Sequence, residues 1–214
     1  MHATIPSLPY GVHQLLLTGV KSGEQSGKLT GLLDRAEGWM LANGMAALVK
    51  LGFGFLLCEG LDDAKATKAQ AFFEENFVIK DPNSAGGIRY YQGKFLIRTR
   101  KAEDDMNVWL KFCPDPTNLY QQTPLGKRLN PAAVLVTEVL TEKQAEHVET
   151  DPSKVDLVIR FKDSKSILGL IERPDADVVG LLLENLVQLT GNFGHMFKLG
   201  AIGKNVEQML KGAA

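Results

Sequence analysis

Few side chains in this sequence are of types that do chemistry, and their spacing is unpromising. The two cysteines are Cys58 and Cys113. A thiol becomes a nucleophile when a base stands beside it. His147 and His195 are the candidate bases, but nothing local pairs either with a cysteine. Surface or turn histidines are the expectation. The cysteines show neither Cys-x-x-Cys spacing nor neighbouring histidines, so structural zinc is not indicated and buried thiols are expected. Glu103, Asp104 and Asp105 form a carboxylate run, which at a hairpin tip is usually solvated. Arg98 and Arg100 share one strand face, where they would pair with a ligand head group or, more plainly, with water. Gly191-Asn192-Phe193-Gly194 precedes a helix, whose amides attract anions. It lacks the glycine-rich dinucleotide and P-loop patterns, so it reads as a turn that aims the last helix. Lys198 stands near enough to meet a ligand carboxylate there.

The bulk numbers narrow the function classes. With 214 residues the chain suits one domain plus a helical annex. Apolar residues at 44% and charged residues at 23% are ordinary for a globular protein. A net charge of −1 with no basic block argues against nucleic acid and against an electrostatic membrane anchor. The Met1-His2-Ala3-Thr4-Ile5-Pro6 start is unlike a secretory signal, and Lys211-Gly212-Ala213-Ala214 is not the peroxisomal Ser-Lys-Leu. The expectation is a cytoplasmic protein without a cofactor.

The elements that would position these groups follow from periodicity. Residues 1–28 are punctuated by prolines and glycines, with Leu15-Leu16-Leu17 free to dock on the core. A helix is predicted from Leu29, where Leu29, Leu32, Leu33, Ala36 and Met40 share a face. From Trp39 to Cys58 its polar face thins. Lys50, Gly52 and Gly54 argue for a packed helix or a dimer contact over a membrane span. Leu61 to Glu75 reads as a second helix and Asn76 to Lys80 as a short strand. Alternation from Tyr91 to Arg98 and from Met106 to Phe112 predicts a hairpin with one apolar face. A proline-rich loop follows, from Cys113 to Arg128, then a helix over Pro131 to Leu140 and a strand near His147 to Glu149. Val155 to Phe161 alternates as another half-covered strand. Asp163 caps a short helix, and Asp175 or Asp177 opens the next, where Val178, Val179, Leu182, Leu183 and Leu186 share a face. Leu186 to Thr190 is a strand, and the last helix carries Met196, Leu199, Ile202, Val206 and Met209 on one side.

The order strand, short helix, amphipathic helix, strand, then Thr190-Gly191-Asn192-Phe193-Gly194-His195-Met196-Phe197-Lys198-Leu199, resembles the sterol carrier protein type 2 family. The likeness covers about a fifth of the chain, from Val155 to Leu199. The hairpin from Tyr91 to Phe112 fits the family's first two strands less closely. The loop from Cys113 to Asn130 is longer than the family pattern, and the first sixty residues have no counterpart. The resemblance implies an α+β fold: a five-stranded, largely antiparallel sheet covered on one face by helices, here with an extra N-terminal helical segment. It places the lipid-binding domain at residues 61–214 and the helical extension, packed on the core, at 1–60. It also implies an apolar tunnel between sheet and helices. That tunnel would bind a fatty acid, acyl thioester or sterol-like lipid without transforming it.

Val178, Val179, Leu182 and Leu183 would line this tunnel or be simple core; Phe193, Met196, Phe197, Ile202 and Val206 are drawn towards it by the resemblance. Each buried methylene is worth about 0.8 kcal/mol, so an acyl chain binds through area alone. Partners expected are a lipid-like small molecule, transient membrane contact and a homodimer; nucleic acid is not expected. The rival reading is a structural or partner-binding module, with its cavity filled by side chains and Trp39 to Cys58 as the contact surface. An enzyme acting on an acyl substrate ranks last.

Overall fold

The computed structural model describes residues 27–57, 63–84, 86–124, 126–171 and 178–212. The Leu15-Leu16-Leu17 run, Cys58, Leu61, Asp175 and Asp177 lie outside them. Two helices lead: α1 (Gly27–Leu57) and α2 (Asp63–Phe77). A small ribbon of β1 (Val78–Lys80) and β2 (Ile88–Tyr90) follows. Next come β3 (Lys94–Thr99) and β4 (Asn107–Phe112), then the hairpin β5 (Tyr120–Thr123) and β6 (Gly126–Leu129). One helical turn, α3 (Pro131–Val134), runs into β7 (Leu135–Val139). The chain ends with α4 (Glu142–Glu149), β8 (Leu157–Phe161), α5 (Ser164–Ile171), α6 (Val178–Leu183), β9 (Val187–Gly191) and α7 (Phe193–Gly212).

The main sheet has five strands in the order β7-β4-β3-β8-β9. Three of its pairings are antiparallel, and the central β3–β8 pair is parallel. The sheet is therefore mixed. Strand alternation sends Phe95, Val108, Leu110, Phe112, Leu157 and Ile159 to one face, where they are buried. That face is roofed by α1, α2 and α7. Phe53, Leu56 and Leu57 of α1, Phe72, Phe73 and Phe77 of α2, and Ile202 of α7 complete one core with it. The rings of Phe53, Phe77 and Phe112 meet at 5.5–6.4 Å, the tilted and edge-on contacts that aromatic quadrupoles favour. Close approach in α1 depends on Gly38, where a Cβ would sit 1.7 Å from the Asp104 carbonyl oxygen. No described helix is long and apolar enough to cross a membrane.

The opposite sheet face also carries a helix. Leu96 and Val158 pack there with Ala145 and Val148 of α4. This region departs most from sequence expectation. The helix expected over Pro131 to Leu140 stops after one turn, because the run from Leu135 to Val139 pairs with β4 instead. The strand expected at His147 to Glu149 is the end of α4, whose start is secured by a capping box between Thr141 and Gln144. The expected loop before Arg128 contains the β5–β6 hairpin. Of the expected solvated run, Glu103 is exposed, Asp105 is half-buried and Asp104 is buried. The buried Asp104 carboxylate accepts from Ser164 N at 2.8 Å and Ser164 Oγ at 3.0 Å, holding the start of α5. Asp105 Oδ1 accepts from Glu142 N at 2.9 Å, holding the start of α4. As expected, Asp163 accepts from Ser166 N at 2.8 Å and caps α5.

Candidate functional site

The turn between β9 and α7 aims the last helix over the sheet. Gly191 has φ +119, and a Cβ there would lie 2.3 Å from the Asp156 carbonyl oxygen, so the position needs glycine. The same carbonyl accepts from Asn192 N at 2.9 Å. Asn192 Oδ1 accepts from Gly194 N at 2.8 Å, satisfying a free amide in the first turn of α7. Asn205, farther along, donates to Asn76 Oδ1 at 2.9 Å and ties α7 to α2.

This geometry divides the residues expected to hold a ligand. Met196, Ile202 and Val206 turn inward and pack against the aromatic core. Leu182, Leu183, Phe193 and Phe197 turn outward, with Leu183 83% and Phe197 78% exposed. In α6 the inward residue is Leu181, 3% exposed, a position the shared-face reading passed over. Helix α6 begins at Val178 and lasts six residues. The side chains of Val178 and Val179 lie outside the described ones.

At the start of α7 the sheet and helix also bring together three polar groups. The Tyr91 hydroxyl is 2.8 Å from His195 Nδ1. Burial, then the nearby Asp156 carboxylate, push the Tyr91 phenol well above its ordinary value, so it stays protonated, and the imidazole tautomer sets which of the two groups donates. The imidazole also lies across the Tyr91 and Phe95 rings, at 5.6 and 6.0 Å between centroids. Lys198 Nζ sits 5.7 Å from the Tyr91 ring centre. Burial holds its ammonium below the usual lysine range, against the opposing effect of Glu75. His195 is thus a partnered, half-buried residue rather than a free turn histidine. Cys113 is a free buried thiol, pushed up by burial to about 12, which leaves almost no thiolate at neutral pH.

The back of the sheet holds the arginines. Arg98 is buried and pairs with Glu142 and, at 2.7 Å, with Glu149. Arg160 pairs with Glu149 and donates to Thr190 Oγ1 at 3.0 Å. Burial, then the neighbouring Arg98 guanidinium, press Arg160 below its ordinary value. Arg100 donates to Asn185 Oδ1 at 3.1 Å and to the Asn185 carbonyl oxygen at 2.6 Å. The three line an open recess of about 330 Å³ with Glu146, Glu149 and Thr150. Arg98, expected on a solvated face, instead joins Arg160 in an ion-pair network that fastens α4, while the Arg100 bonds to Asn185 stay exposed. The partners of Arg98 lie 44 and 51 residues away in sequence, so no local pattern pointed to them.

Among the described residues, no group of three or more histidine, cysteine or carboxylate side chains could hold a metal ion. Compared with known proteins, the chain matches no family model, no curated protein and no solved structure.

Proposed function

We propose that this chain binds an apolar, lipid-like ligand between its sheet and its roofing helices, without transforming it. The observation that carries the reading is the sheet face itself. Along its centre the inward residues are apolar, and α7 lays Met196, Ile202 and Val206 on them. An acyl chain placed there gains burial at about 0.8 kcal/mol per methylene and needs no polar partner along its length. Met196 is a flexible thioether that repacks around varied apolar guests. The likeness of the Val155-to-Leu199 segment to sterol carrier proteins points the same way, as does the helix-roofed five-stranded sheet. Cys113, with its thiol held protonated, is a poor nucleophile, which weakens the case for acyl-transfer chemistry.

Displacement of a fluorescent fatty acid tests the reading. The folded chain takes up the probe, and an unlabelled acyl ligand displaces it. Met196→Trp enlarges the side chain packed against the core and lowers probe affinity about tenfold, a loss of roughly 1.4 kcal/mol. Leu183→Glu, at an exposed position, leaves affinity unchanged. A folded chain that ignores the probe, or one silenced only by Leu183→Glu, refutes this placement.

A further inference from the structure

The outward faces of the roofing helices are unlike an ordinary solvated surface. Helix α1 exposes Ala36, Trp39, Met40, Ala47 and Leu51 along one stripe, with Arg35 and Lys50 beside them. Trp39 is 54% and Leu51 71% exposed. Helix α7 exposes Phe193, Phe197, Gly200 and Ala201, followed by Lys204. The two helices pack side by side on the same sheet face, α1 over β7 and β4, and α7 over β8. Their apolar outer stripes therefore both face away from the sheet. Helix α2 gives an internal contrast, since its exposed described residues are Thr67, Lys68, Ala71, Glu74 and Glu75. Among the described residues of the α1 and α7 stripes the exposed charges are the bases Arg35, Lys50 and Lys204, with the half-buried Glu37 beside Arg35. The whole-chain charge of −1 hides this local imbalance.

We propose that the outer face of α1 and α7 docks on an anionic lipid surface. An interfacial helix needs an apolar face to enter the headgroup boundary, an aromatic residue suited to that boundary, and bases that meet lipid charge. Phe197, Leu51 and Met40 supply the first, Trp39 the second, and Arg35, Lys50 and Lys204 the third. A second copy fits the face less well. A two-fold contact sets a surface against itself and would bring Arg35, Lys50 and Lys204 towards their own copies. The proposal concerns the outer surface and does not depend on an occupied interior.

The full chain carrying Trp109→Phe retains Trp39 as its only indole. The expected result is that it sediments with vesicles of phosphatidylcholine and phosphatidylglycerol, but not with phosphatidylcholine alone. Added salt weakens the binding, and Trp39 emission shifts to the blue on contact. Phe197→Glu and Leu51→Glu, at exposed positions, each lower vesicle affinity about tenfold or more with the circular dichroism unchanged. Blue Trp39 emission without vesicles would overturn the proposal. It would mean that the face is already covered, by a second copy if light scattering finds a dimer, or by the chain itself if it finds a monomer. Vesicle binding indifferent to both substitutions would also overturn it.

Discussion

Cys113 stands at the edge of the aromatic core with its side chain sealed from water. Its folded-state value of about 12 lies above the ordinary 9.0 because burial penalises the thiolate. The folded protein therefore keeps a proton that the unfolded chain gives up. This contribution to stability is complete below pH 9 and is lost as pH rises towards 12, by at most about 1.4 kcal/mol per pH unit. Urea midpoints measured from neutral pH upward should fall more steeply for the parent protein than for Cys113→Ala. Parallel curves through that window would show that the thiol is not protected as the structure has it. Gly191 makes a second prediction at this scale. Alanine there must adopt φ +119 against the Asp156 carbonyl, so Gly191→Ala should destabilise by about 1–3 kcal/mol in denaturant titration. A neutral effect would mean that the turn relaxes freely. The turn was legible in the sequence because Gly-Asn-x-Gly carries its backbone requirement in its own residues. The roles of Asp104 and His195 were not, since each depends on a partner more than fifty residues away.

Helix α4 shows how an element is decided by what it meets. Its capping box was present in the sequence as Thr141-Glu142-Lys143-Gln144, but the eight-residue helix is too short for a clear apolar period. What secures it is tertiary: Ala145 and Val148 on Leu96 and Val158, and Glu142 and Glu149 on the buried Arg98. Arg98→Met leaves both carboxylates without this partner. Because they remain 20–23% exposed, the expected cost is at the low end for a broken buried pair, about 3 kcal/mol. Hydrogen exchange should show the α4 amides opening well before those of β3. Unchanged protection across α4 would mean that apolar packing alone holds it. The neighbouring β7 was misread for a related reason. Asn130-Pro131 correctly announces a helix start, but the β-branched Val136, Thr137 and Val139 find a strand partner in β4. Strands β3, β4, β8 and β9 were legible because one face of each meets a deep core and the alternation is clean.

For the molecule as a whole, the sheet-and-roof architecture was readable, whereas the direction of each roofing face was not. Periodicity finds a stripe on a helix; it does not say whether that stripe meets the sheet or the outside. In α7 both faces are apolar, so Phe193 and Phe197 read as interior while the structure turns them out and Met196 and Ile202 in. The same ambiguity in α1 made Trp39 to Cys58 resemble a span or a contact surface. The resulting molecule has an apolar layer inside its roof and another on top of it. Native mass spectrometry after gentle purification, followed by solvent extraction, tests whether the inner layer holds a lipid. A single stoichiometric lipid should survive native spraying and be released by solvent. A bare protein that also refuses a fluorescent fatty acid would contradict the lipid-binding proposal.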